Sequence, residues 1–144
     1  MTPNDFKQKI ARMAVQIKQA VDADLPKIIG NKATGMFKQN FQQEGFFGQK
    51  WKEVKRRQHP PKHSRYPADA RRKILTGRTA NLGRSIRYTT GRGVAVVYSD
   101  APYSQYHNEG TSRLPQRQFL GNHKKIEQMA KTEIERRIGD ILKK

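Results

Sequence analysis

The chain has 144 residues, the length of one ordinary domain, and a hydrophobic fraction of 34%. It contains no cysteine, which excludes disulfide bridges and thiolate zinc sites. No stretch reaches the roughly 20 apolar residues of a membrane-spanning helix, so we expect no membrane contact and synthesis in a reducing cytoplasm.

Positive charge dominates the sequence, with 30 Lys and Arg residues against 12 Asp and Glu and a formal net charge of +18. Residues 50–92 hold 14 basic residues and two acids, so this stretch carries +12 and the remainder only +6. A field of this size attracts nucleic acid or acidic protein surfaces. The charge therefore indicates a kind of partner without identifying it.

The N-terminal part of the chain predicts two helices. Thr2 and Asp5 match a capping box, in which each side chain accepts from the other residue's backbone amide. Apolar residues then recur every three or four positions from Phe6 to Val21, which is typical of an amphipathic helix that needs a partner surface. Pro26 disfavours helical geometry at the preceding residue, so we expect a kink or break within residues 22–26.

Residues 48–73, the basic segment, predict a long mobile loop. Three prolines punctuate a run of Lys, Arg and His, and beyond Trp51 the only aliphatic residue larger than alanine is Val54. Such a segment buries too little apolar surface to offset its ordering entropy. Its cations can contact phosphates, and the alternative is a solvated or partner-docking loop. The candidates for nucleic-acid contact are Arg56, Arg57, Arg71, Arg72 and Lys73.

The second half of the chain predicts strands followed by a helix. Ser85–Thr90 and Val94–Ser99 alternate in polarity around a glycine-containing turn and indicate a hairpin. Gln116–Leu120 predicts a further short strand, and Asn122 can cap a C-terminal amphipathic helix. We therefore expect an α+β fold in a single domain, residues 1–144, with N-terminal helices and a C-terminal helix packed on a small antiparallel β-sheet.

The sequence carries no pattern that supports catalysis. His59 and His63 have the spacing of a helical metal pair, but the two prolines between them preclude the helix. A weaker alternative is a metal nuclease that pairs His107 and Asn108 with His123. No nucleophile elbow and no phosphate-binding glycine sequence is present. We predict a non-enzymatic protein with no catalytic residue, no metal and no cofactor.

Three short patterns follow one another between Leu82 and Gly121, and we call them the signature. They are Leu-x-x-Ser-Ile, Tyr-x-x-x-His-x-x-Gly and Pro-x-Arg-x-Phe-Leu-Gly. In this order and spacing the chain resembles the phage virion morphogenesis family, the Mu-like tail completion or head-tail joining proteins. A tryptophan ahead of the basic segment is also similar. The residues that carry the resemblance are Trp51, Leu82, Ser85, Tyr103, His107, Gly110, Pro115, Arg117, Phe119, Leu120 and Gly121.

The resemblance implies a structural protein of a phage or prophage, made in the cytoplasm of a bacterial host and built into the tail or head-tail junction of the virion. It implies a ring of identical subunits, with other phage tail or neck proteins as partners. The Phe-Leu-Gly end of the signature favours a fold-specifying role, whereas Tyr103, His107 and Arg117 suit either the fold or a subunit interface.

The alternative function is a basic nucleic-acid-binding module that uses residues 50–92 for non-specific DNA contact. The two hypotheses are compatible, because a ring at the head-tail junction would surround the DNA path.

Overall fold

The computed structural model describes residues 1–62, 65–77 and 79–143. It has the predicted α+β class, and the chain divides into two compact units. Unit 1 comprises Met1–Ala33, Tyr88–Val96 and Lys124–Lys144, and unit 2 comprises Thr34–Arg87 and Val97–His123. That they fold together as one domain stays a prediction. None of the described helices is both long enough and apolar enough to cross a membrane.

Helices dominate both ends of the chain, and the strands form two separate two-stranded sheets, β1 with β2 and β3 with β4. The order is α1 (Pro3–Gln19), a π-helical turn (Ala20–Asp24), α2 (Leu25–Gln43), β1 (Gly45–Phe46), β2 (Gln49–Lys50), α3 (Lys55–Gln58), a 3-10 turn (Pro67–Arg71), α4 (Asn81–Arg84), β3 (Ile86–Gly91), β4 (Val94–Ser99), α5 (Ser104–Glu109) and α6 (Lys124–Lys143).

Helix α1 starts at the predicted capping box. The backbone N–H of Thr2 donates to Asp5 Oδ2 at 3.0 Å, and the N–H of Asp5 donates to Thr2 Oγ1 at 3.1 Å. These bonds satisfy two amides that an uncapped helix would leave free, and they lower the pKa of the Asp5 carboxyl. None of the 17 residues of α1 is buried, although the helix has an apolar stripe.

The interruption predicted near Pro26 is a π-helical turn, and the chain stays helical on both sides of it. The N–H of Leu25 donates to Ala20 O, five residues back. Pro26 has no N–H, so the carbonyl of Asp22 loses its helical donor. That carbonyl accepts the N–H of Gly93 at 3.1 Å instead, which attaches the turn of the β3–β4 hairpin to the helix.

The buried core of unit 1 is small. Ion pairs surround it, with Glu133 bound to Lys32 and with Arg137 Nη2 at 2.8 Å from Asp24 Oδ2. The hydrogen bond from Lys32 is the main reason that the pKa of the Glu133 carboxyl is lowered. The apolar core residues are Ala20, Leu25 and Ile141, with Ile17 and Ile29 packed against them.

Helix α2 contains two glycines with different surroundings. A Cβ at Gly30 would lie 2.6 Å from Cδ2 of Tyr88, so only glycine leaves room for that ring. A Cβ at Gly35 would meet nothing within 4 Å. The first glycine is therefore explained by close packing within unit 1, and the second is not.

The core of unit 2 is aromatic. The ring of Phe41 lies 5.4 Å from Trp51 and 5.5 Å from Phe119, measured between ring centroids. Phe119 has 0% of its surface exposed. The buried apolar side chains of unit 2 are Phe37, Phe41, Phe46, Trp51, Ile74, Leu82, Ile86 and Phe119.

The predicted hairpin is confirmed, since β4 spans Val94–Ser99 and β3 begins at Ile86. The strand predicted for Gln116–Leu120 is wrong, because that segment has no strand partner and its amides bind a side chain. Between the hairpin and this segment, Ser104–Glu109 forms the short helix α5.

Candidate functional site

The second and third patterns of the signature are joined in unit 2 through helix α5. The backbone N–H of Arg117 donates to the carbonyl of His107 at 2.9 Å. The side-chain oxygen of Asn108 accepts from the amides of both Phe119 and Leu120, each at 2.9 Å. The Phe-Leu-Gly end of the signature is thereby clamped onto α5, which explains why it forms no strand.

Glycine is required where these two patterns approach each other. Gly110 ends α5 with φ +78°, and a Cβ there would lie 2.9 Å from the backbone nitrogen of Gln116. Gly121 has φ +154°, in a region that L-residues rarely adopt. Pro115 follows a turn in which Thr111 Oγ1 accepts the amide of Leu114 at 3.0 Å.

Arg117 ties the signature to the start of the basic segment. Its Nε donates to the carbonyl of Lys52 at 2.9 Å and its Nη2 to the carbonyl of Glu53 at 3.3 Å, and the residue is only 8% exposed. Trp51 makes the reciprocal connection, because its Nε1 donates to the carbonyl of Gln118 at 2.7 Å. These contacts favour a fold-specifying role for Arg117 and Trp51.

The first pattern anchors the β3–β4 hairpin. Leu82 is buried on the helical turn α4, and the Ser85 hydroxyl donates to its carbonyl at 2.5 Å. The same hydroxyl lies 2.5 Å from Ser99 Oγ at the end of β4, and the amide of Asp100 donates to the Ser85 carbonyl at 3.2 Å. Ser85 therefore connects the two ends of the hairpin.

Tyr103 and His107 of the second pattern contact each other, with Tyr103 exposed and His107 partly buried. Their rings meet edge to face, with centroids 6.1 Å apart. Burial lowers the pKa of the His107 imidazole, and the nearby Arg117 cation adds to the effect. Tyr103 is exposed, so it is available for contact with another molecule. A role for either residue at a subunit interface stays a prediction.

Most cations that the sequence selects for nucleic-acid contact are engaged within the chain. Arg56 donates to three backbone carbonyls, those of Asp69 at 2.6 Å, Arg72 at 2.7 Å and Lys73 at 3.0 Å. The Lys73 ammonium donates to the carbonyl of Gln42 at 2.7 Å. These bonds connect distant parts of the basic segment to each other and connect the segment to the end of α2. The mobility of the segment stays a prediction.

Arg57 is bound by two carboxylates. Its Nη2 lies 2.7 Å from Glu44 Oε2, and its Nε lies 2.8 Å from Glu53 Oε1. The hydrogen bond from Arg57 is the main reason that the pKa of the Glu44 carboxyl lies below its ordinary value, and the same holds for Glu53. In return the two carboxylates raise the pKa of the guanidinium.

The remaining two candidates for nucleic-acid contact differ from each other. Arg72 forms an ion pair with Asp69. Arg71 is exposed and its side chain makes no hydrogen bond or ion pair with the described residues. Of the five candidates, Arg71 is therefore the one most available to an external phosphate.

The histidines considered as metal ligands have separate surroundings. His123 stacks on Phe47 at 4.5 Å, whereas His107 packs against Tyr103. His59 follows α3, and His63 lies outside the described residues. Within residues 1–62, 65–77 and 79–143, no three His, Asp or Glu side chains come together as metal ligands would.

Comparisons with known proteins leave the family open. No family model matches the chain, and neither a curated protein nor a solved structure is similar to it at a significant level.

The sequence did not reveal two asparagines that organise unit 2. Asn108 clamps the end of the signature, and Asn40 Oδ1 accepts the amide of Phe47 at 3.0 Å. Their acceptor role depends on residues seven to twelve positions away. The only available signal was the Asn-x-Gly ending of α5, which is typical of a helix C-terminus.

Proposed function

We propose that this chain is a structural assembly protein of a phage or prophage virion, which acts in tail completion or head-tail joining as an oligomeric ring. The observation that carries the proposal is the exposed N-terminal part of the apolar stripe of α1. Phe6 is 57% exposed and Ile10 is 49% exposed, and no residue of the 17-residue helix is buried.

Most helical stability in proteins comes from packing of the apolar face. At the N-terminal end of α1, Phe6 and Ile10 leave that face exposed to solvent. Unit 1 also exposes Val94 and Val96 on strand β4. Exposed apolar surface of this type is characteristic of interaction sites, and subunit packing would cover it.

The signature supports the same function from unit 2. Its buried members, such as Leu82 and Phe119, hold a framework that presents Tyr103 to solvent. This division fits a subunit whose buried core positions an exposed tyrosine for contact, since aromatic residues are enriched at interface centres. Location in the virion and partners among tail or neck proteins belong to this proposal.

The test is the size of the assembled species. Mass measurement and electron microscopy of the chain, across a wide concentration range and with tail or neck proteins added, should reveal closed rings. Ile10→Glu should abolish them, because it places a carboxylate in the apolar stripe. Only monomers under every condition would contradict the proposal.

Val15 offers a matched control for the stripe. It lies on the opposite side of α1 and is 67% exposed, so Val15→Glu adds the same charge to the same helix away from the stripe. Rings should persist in this variant. Equal loss of rings in both variants would mean that charge on α1, and not its apolar stripe, controls assembly.

Non-specific DNA binding is the second candidate, and the exposed Arg71 together with the +12 charge of residues 50–92 favours it. Its test should spare the cations that bind carbonyls or carboxylates. Neutralising Arg71, Lys52 and Lys55, which are exposed, should weaken DNA binding at about 0.15 M salt and reduce its salt dependence. Unchanged binding would exclude this surface as the DNA contact.

A further inference from the structure

A cavity of about 290 Å³ in unit 2, the cationic cavity, combines residues from four parts of the chain. Arg56 and Arg72 come from the basic segment, and further residues come from the stretch that leads from it into α4. Tyr103 precedes α5, His107 lies within that helix, and Arg117 belongs to the third pattern of the signature. No Asp or Glu is among the described residues that line it. The described part of its wall therefore contains three cations and no anion.

The cations of this wall repel one another. Burial and the neighbouring Arg72 lower the pKa of Arg56, and burial together with Arg56 lowers the pKa of Arg117. Arg72 has a carboxylate partner in Asp69, whereas Arg56 and Arg117 donate only to carbonyls among the described residues. A bound anion would reduce this repulsion.

Hydrogen-bond donors remain available at the cavity. Arg117 uses Nε and Nη2 for backbone carbonyls, which leaves Nη1 without an acceptor in the described part of the chain. The Tyr103 hydroxyl and the His107 ring nitrogens also bind no described residue. Guanidinium and hydroxyl donors of this kind suit the oxygens of a carboxylate or phosphate.

Apolar side chains complete the wall. Val54, Leu75 and Leu82 line the cavity beside the cations. Its volume is near the lower end of the roughly 300–1,000 Å³ typical of ligand sites, so the occupant is small. An ion alone would leave the apolar part of the wall uncovered.

We propose that the cationic cavity binds a small organic oxyanion, a carboxylate or phosphate group carried on an apolar body. Arg72, the Nη1 of Arg117 and the Tyr103 hydroxyl bind the anionic group, and the leucines contact the apolar body. This inference is independent of the assembly function proposed above.

Titration of the full-length, ¹⁵N-labelled chain by NMR tests the proposal, with benzoate, phenyl phosphate, inorganic phosphate and benzyl alcohol as probes. Benzoate or phenyl phosphate should shift the amides of Thr76, Gly77 and Tyr103 with a Kd of about 1 mM or lower. Benzyl alcohol has the same apolar body without the charge and should bind roughly tenfold more weakly.

The relative affinity of benzoate and phenyl phosphate identifies the anionic group, and either order supports the proposal. Equal binding of benzyl alcohol, or no shift with either anion at about 10 mM, would overturn it. If inorganic phosphate bound as tightly as phenyl phosphate, the proposed contact between the leucines and an apolar body would be wrong. Duplex DNA that produces the same shifts at equal phosphate concentration would assign the cavity to nucleic acid and also overturn it.

Substitutions separate a built site from general charge attraction. Arg72→Gln should weaken binding about tenfold, whereas Arg113→Gln, the same change of charge at an exposed position of unit 2, should leave the Kd within about twofold. Equal effects would overturn the proposal. If Arg72→Gln fails to fold, Tyr103→Phe tests the same site, because it keeps the aromatic ring and removes one hydrogen-bond donor. An unchanged Kd in this variant would contradict the proposal.

Discussion

Units 1 and 2 use their apolar side chains in opposite ways. Unit 2 buries Phe41, Trp51 and Phe119 in one aromatic core and fixes the surrounding backbone with side-chain hydrogen bonds. Unit 1 buries little, and no residue of its first helix is fully buried, although Ile17 packs against the small core. Since apolar burial is the main stabilising contribution in folding, unit 2 provides more of the stability that the isolated chain possesses. Unit 1 has the exposed apolar side chains on which the assembly function proposed above depends.

The sharpest way to break this comparison is to remove a phenylalanine from each unit. Phe119→Ala should reduce the free energy of unfolding by about 3–5 kcal/mol, because it leaves a cavity in a fully buried site. Phe6→Ala should change it by less than about 0.5 kcal/mol, since the ring is exposed in the monomer. Urea unfolding at dilute, monomeric concentration measures both. Similar losses would show that α1 is packed in the isolated chain.

The clamp at Asn108 gives the next largest effect. Asn108→Ala leaves the amides of Phe119 and Leu120 without their acceptor, which should cost about 2 kcal/mol and speed hydrogen exchange at both amides. Asn108→Asp keeps an acceptor oxygen and should lose less. If neither Asn108→Ala nor Asn108→Asp changed the free energy of unfolding, the hydrogen bonds of Asn108 would not contribute to the stability of unit 2.

The pair of Glu44 with Arg57 predicts how stability depends on pH. Because the folded-state pKa of Glu44 lies below its unfolded value, the pair contributes fully above the unfolded pKa, and the contribution is lost as pH falls through the folded one. Glu44→Gln should therefore cost about 1–2 kcal/mol near pH 7 and progressively less in acid. A difference that stays constant from about pH 7 to pH 2 would argue against the ion pair.

Two glycines of α2 provide the smallest and most direct comparison of the units. Gly35→Ala should stabilise the chain by about 0.5–1 kcal/mol, because alanine favours helix and meets no neighbour. Gly30→Ala gains the same propensity but displaces Tyr88, so we expect a net loss. In a Tyr88→Ala background the sign should reverse. Thermal unfolding of the four variants checks this.

The elements that could be predicted from the sequence are those specified by neighbouring residues. The capping box needs only Thr2 and Asp5, three positions apart, and the alternation of β4 is visible in Val94–Ser99 itself. The α+β class followed from the order of these elements. The residues of the signature could be named for the same reason, since the patterns are short.

The rest depends on contacts between distant residues. Helix α5 has the sequence Ser-Gln-Tyr-His-Asn-Glu, which has no apolar periodicity, and it is held through bonds from the segment of Arg117. The strand predicted for Gln116–Leu120 fails for the same reason, because the distant Asn108 accepts the amides of Phe119 and Leu120. Likewise, the charge of Arg56 and Arg57 suggested phosphate contact, but both bind groups within the chain.

Pro26 has an architectural effect beyond interrupting a helix. Because proline has no N–H, the carbonyl of Asp22 receives no hydrogen bond from position 26. The amide of Gly93, about seventy residues later in the chain, donates to that carbonyl instead. Any residue with an N–H at position 26 would compete for that carbonyl from within the helix. The proline therefore determines where the turn of the β3–β4 hairpin can bond to the helix within unit 1.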